Sequence, residues 1–159
     1  MAMHTWFECK IRYEKVTENG MQKKVTEPYL VDALSFTEAE ARIIEEMTPF
    51  ISGEFTVSDI KRANYSELFP SDEESADRWF KCKLIFITLD EKSGAEKKTS
   101  TQVLVQAADL RDAVKKLDEG MKGTMADYQI GMVSETPLMD VYPYSAEPND
   151  KPEFDPSKA

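Results

Sequence analysis

The two tryptophans of this chain each open the same kind of pentapeptide: Trp6-Phe7-Glu8-Cys9-Lys10 and Trp79-Phe80-Lys81-Cys82-Lys83. The only two cysteines lie in the same stretches. The correspondence then runs on. Ile11 and Tyr13 meet Leu84 and Phe86, Asn19-Gly20 meets Ser93-Gly94, and Lys23-Lys24 meets Lys97-Lys98. Leu30-Val31-Asp32-Ala33 meets Leu104-Val105-Gln106-Ala107, Met47 meets Met121, and Leu68-Phe69-Pro70 meets Val141-Tyr142-Pro143. An internal repeat of this kind limits the fold more than any local propensity, because both copies must satisfy one plan.

That plan is legible from periodicity. In the first copy Phe7, Cys9, Ile11 and Tyr13 alternate with Trp6, Glu8, Lys10 and Arg12, which predicts a half-buried strand. The second copy places Phe80, Cys82, Leu84 and Phe86 inward in the same way. Asn19-Gly20 and Ser93-Gly94 mark hairpins leading into second strands, with Tyr29, Val31 and Ala33, or Val103, Val105 and Ala107, facing in. A helix follows each hairpin. Ser35 with Glu38 forms a capping box, and Asp109 is the matching cap. The stripes Phe36, Ala39, Ile43, Met47 and Leu110, Ala113, Val114, Leu117, Met121 give each helix one apolar face. Third strands are expected near 54–61 and 127–134, and short fourth strands near 65–69 and 138–142.

The expected fold class is α+β, with two tandem ββαβ repeats. The boundaries are 4–70 for the first repeat, 71–78 for an acidic solvated linker, 79–143 for the second repeat and 144–159 for a disordered acidic tail. One such unit buries little surface by itself. The two are therefore expected to form one domain with approximate two-fold symmetry.

Composition narrows the function classes. The chain has 159 residues, 41% hydrophobic and 31% charged, with a formal net charge of −10. Such a balance suits a globular protein and repels phosphate backbones, although a local basic face is compatible with it. No apolar run reaches the roughly 20 residues of a membrane helix. The start of the chain shows no basic segment followed by an apolar core, so a cytoplasmic location is expected.

Candidate chemistry is sparse. His4 is the only histidine, and two cysteines without further ligands do not suggest a zinc site. Glu38, Glu40, Glu45 and Glu46 fall on the polar helix face and are expected to be solvated. No glycine-rich phosphate loop or nucleophile elbow occurs, and Asn64-Tyr65-Ser66 is a glycosylation acceptor only in a secreted chain. No catalytic, cofactor or metal residue is therefore assigned, and the protein is not expected to be an enzyme. The one candidate binding face combines Trp6, Lys10 and Arg12 with Trp79, Lys81 and Lys83, on the strand face opposite the apolar set. Aromatic rings interleaved with cations suit single-stranded nucleic acid. Glu8, Glu14 and the overall charge favour a protein partner instead.

The strings Trp-Phe-x-Cys-Lys and Leu-Val-Asp-Ala-x-Ser-Phe-Thr-Glu-Ala-Glu-Ala resemble an uncharacterised domain-of-unknown-function family of Bacteroides-type bacteria and their phages, over about residues 4–144. The resemblance implies the duplicated fold and carries no activity. The expected role is a small non-catalytic binding or adaptor module acting on a protein. The alternative is a nucleic-acid-associated protein using the Trp/Lys face.

Overall fold

Alternating burial along the first strand of each repeat sets the architecture in a computed structural model that describes residues 5–125 and 127–143. In β1 (Thr5–Val16), Phe7, Cys9 and Ile11 are fully buried. β1 pairs antiparallel with β2 (Gln22–Ala33) through a hairpin in which Gly20 takes φ +77°, a conformation that disfavours a Cβ. α1 (Phe36–Met47) covers one face of the pair, burying Ala39, Ile43 and Met47. β3 (Phe55–Ala63) then pairs with β1.

The second repeat has the same order. β5 (Arg78–Leu89) and β6 (Glu96–Ala107) form a hairpin with Gly94 at φ +71°. α2 (Leu110–Gly120) buries Ala113 and Leu117 against it, and β7 (Asp127–Glu135) pairs with β5. The fold is thus α+β, with two helices and two four-stranded sheets.

Helix starts obey the predicted caps, with one addition. Ser35 Oγ accepts from Glu38 N at 3.1 Å, while Glu38 Oε1 accepts from Leu34 N at 2.7 Å. Asp109 Oδ1 accepts from Asp112 N at 2.8 Å, and Asp112 Oδ2 accepts from Ala108 N at 2.9 Å. The reciprocal half reaches the residue before the cap, and in the second copy an aspartate supplies it, a shorter side chain than the Glu or Gln of the usual capping box.

The fourth strands depart from the simple plan. β4 (Glu67–Phe69) and β8 (Asp140–Tyr142) exist where expected, but each pairs outside its own repeat. β8 lies parallel to β2, with Leu30 beside Val141. β4 lies parallel to β6, with Leu68 beside Leu104. The sheet orders are β3-β1-β2-β8 and β4-β6-β5-β7. One compact unit accordingly runs to Ala63 and resumes at Leu138, and the other is Asn64–Pro137. Alternation specifies which face a side chain takes and leaves the neighbouring strand open, so the exchange carries no sequence signal.

Two further features follow. Leu30 and Leu104 are fully buried although they point away from the helices, so the inner strands are covered on both faces at these positions. The 71–78 stretch is exposed at 72–75 and 77–78 and also makes contacts of its own. Ser71 N donates to Gln106 Oε1 at 2.9 Å, Lys116 Nζ donates to Glu73 Oε1 at 2.9 Å, and Ala76 is buried. The expectations for His4 and for the 144–159 tail lie outside the described residues.

Candidate functional site

β3 and β7 each carry a β-bulge, opposite corresponding positions of β1 and β5. Opposite β1 the register passes from Lys10↔Asp59 to Ile11↔Val57, leaving Ser58 as the extra residue. Opposite β5 it passes from Lys83↔Met132 to Leu84↔Ile130, leaving Gly131. Ser58 Oγ donates to the Lys10 carbonyl at 3.3 Å. At Gly131 an added Cβ would stand 2.9 Å from Ile85 Cδ1, so a larger residue there would make the end of the Ile85 side chain shift. Bulges bend a strand and re-aim nearby side chains. Here they sit beside two of the predicted face residues, Lys10 and Lys83.

The electrostatics of the two bulged faces differ. On the first, Lys10 stands opposite Asp59, and Glu8 stands opposite Lys61, so each cation meets a carboxylate. On the second, Lys81 stands opposite Leu104 and Ser134, and Lys83 opposite Gln102 and Met132. No carboxylate is a register partner of either lysine. A pocket of about 330 Å³ opens beside Lys83, lined by Asn64, Ser100, Thr101 and Gln102.

The predicted aromatic platform is not symmetric. Trp6 is half-buried, whereas Trp79 is only 5% exposed, so its ring is not presented for stacking. Thr136 anchors that position, with both N and Oγ1 donating to the Trp79 carbonyl at 2.9 Å. Arg12 is exposed, and Lys10, Lys81 and Lys83 are half-buried. Trp6 and Lys10 lie in one unit, Trp79, Lys81 and Lys83 in the other.

One polar cluster was not foreseen. Tyr13 Oη donates to Glu27 Oε1 at 2.9 Å, Tyr29 Oη donates to the same oxygen at 3.2 Å, and Lys15 Nζ lies 3.7 Å from Glu27 Oε2. Tyr29 stacks on Tyr142 of β8, with centroids 6.2 Å apart and planes at 22°. Burial, together with Glu27, raises the pKa of both Tyr13 and Tyr29, so these phenols stay protonated and serve as donors. The second copy carries Phe86 and Val103 at the corresponding places, so the cluster belongs to the first unit alone. Tyr13 also walls a cavity of about 550 Å³ that includes Val16, Phe50 and Ile51.

The thiols are closed. Cys9 is pushed up to about 12, by burial first and then by Glu8 and Asp59, and burial pushes Cys82 up to about 11. A thiol held protonated is a poor nucleophile and a poor metal ligand. Among the described residues no three His, Cys, Asp or Glu side chains gather to hold a metal ion, and no helix is long and apolar enough to cross a membrane.

Fold and site together define an α+β protein with two helices, two bulged four-stranded sheets and buried thiols. Residues 5–144 match the domain of unknown function family DUF4494, and the chain belongs to that family. No curated protein matches the sequence.

Proposed function

We propose that the protein is a non-catalytic module that binds a protein partner by adding a strand to a sheet edge. The observation that carries this reading is β7. It is nine residues long, stands at the edge of its sheet and exposes Ile130 and Met132 on either side of Gly131. A long outer strand offers a row of main-chain donors and acceptors, and apolar side chains there add contact area. β3 occupies the equivalent edge in the other unit. The unpaired thiols Cys9 and Cys82 fit a reducing, cytoplasmic setting. An origin in Bacteroides-type bacteria or their phages belongs to the same reading and rests on the two quoted strings.

The test is an affinity capture from native lysate, with and without nuclease, comparing wild type with Ile130→Lys. The reading expects a nuclease-resistant protein partner that the edge lysine displaces. Capture that nuclease abolishes favours the alternative, a nucleic-acid-associated protein, for which the uncharged surroundings of Lys81 and Lys83 are the supporting observation.

A further inference from the structure

The two lysines opposite the bulges form an internal comparison. Lys10 faces Asp59 across β3 and Pro28 across β2. Lys83, its repeat counterpart, faces Met132 and Gln102. The first cation therefore has a carboxylate as its register partner on one side and a residue without a backbone N–H on the other. The second has no carboxylate as a register partner.

We infer that Asn64, Lys83, Ser100 and Gln102 form an oxyanion pocket for a single phosphate group carried by a small molecule. The pocket of about 330 Å³ is lined by one cation and four neutral polar residues, with no carboxylate. In a protein of net charge −10 this is a local exception. The site is also braced from below. Thr101 Oγ1 donates to Ser66 Oγ at 2.9 Å, and Ser66 donates twice to the Gln102 carbonyl, from N at 2.8 Å and Oγ at 3.2 Å. Those bonds fix the β6 backbone and leave the Gln102 amide and the Ser100 hydroxyl for a ligand. Donors from three chain segments suit a tetrahedral oxyanion with several acceptor oxygens better than a planar carboxylate. The half-buried position of Lys83 strengthens a charge-assisted contact relative to an exposed lysine. The volume of about 330 Å³ accommodates a phosphate group with part of the small molecule that carries it. This inference does not depend on the partner reading above.

The experiment is an NMR titration of the full-length, isotope-labelled chain with inorganic phosphate at constant ionic strength. Acetate, sodium chloride and single-stranded DNA form parallel arms. The expected result is saturable shifts at Asn64, Lys83, Ser100 and Gln102 with phosphate, and weaker ones with acetate. Lys83→Met is expected to lower the affinity about tenfold. Met132→Asp places a carboxylate opposite Lys83, as Asp59 stands opposite Lys10, and is expected to do the same. Met132 is an exposed edge residue, so that variant keeps its fold. Shifts that do not saturate, that chloride or acetate reproduces in full, or that survive both substitutions would overturn the proposal. So would binding of single-stranded DNA without any response to phosphate.

Discussion

Phe69 and Gly120 are in ring-to-backbone contact: a Cβ at Gly120 would stand 2.8 Å from Cδ1 and Cε1 of the Phe69 ring. Phe69 belongs to β4, which lies before the second repeat in sequence, and Gly120 ends α2 within it. The contact exists only because β4 docks on β6.

That contact reverses an ordinary expectation. Glycine to alanine in a helix normally stabilises, by about 1 kcal/mol. Gly120→Ala is instead expected to destabilise by about 1–3 kcal/mol, because the methyl overlaps the Phe69 ring and forces it to shift. Chemical denaturation of Gly120→Ala, Phe69→Leu and the double variant checks this. The alanine should cost much less in the Phe69→Leu background.

Lys116 is the second hold on the same stretch of chain. Its ammonium meets Asp112 Oδ2 at 2.9 Å and Glu73 Oε1 at 2.9 Å while remaining largely covered. Lys116→Met is expected to release the 71–77 segment with little loss of the unit itself. Limited proteolysis should then cut there several times faster than in the wild type, at a similar melting temperature.

Stability is expected to fall in alkali, starting near pH 9. Cys9 and Cys82 ordinarily titrate near 9.0 and are held up at about 12 and about 11 in the fold. Tyr13, Tyr29 and Tyr142 ordinarily titrate near 10.0 and are also raised, Tyr142 to about 12, by burial first and then by Asp140 and Glu46. Above these ordinary values the unfolded chain loses protons that the folded chain keeps. The groups' contribution is therefore complete below about pH 9 and declines as pH rises toward the folded values. Urea midpoints measured from neutral pH upward should stay flat and then drop. Tyr29→Phe should make the drop shallower.

Much of this fold is legible in the sequence, for physical reasons. Phe7, Cys9 and Ile11, with Phe80, Cys82 and Leu84, sit at period two, and Ser35 and Asp109 precede helical stripes; these are local rules. Strand neighbours are not local. Leu68-Phe69 and Val141-Tyr142 read alike, and three-residue strands hold too little pattern to name a partner. The equivalence of Trp6 and Trp79 likewise says nothing of their surroundings, and Trp79 proves nearly fully buried. Alternation places Lys83 on the outward strand face, but the bulge at Gly131 and the neutral neighbours Gln102 and Met132 emerge only from pairing.

Backbone NOEs in the intact, isotope-labelled chain test the strand exchange most directly. Cross-strand contacts are expected from Asp140, Val141 and Tyr142 to Tyr29, Leu30 and Val31, and from Glu67, Leu68 and Phe69 to Val103, Leu104 and Val105. Contacts from Val141 to Leu104, with Leu68 against Leu30, would mean that each repeat keeps its own fourth strand and would contradict it.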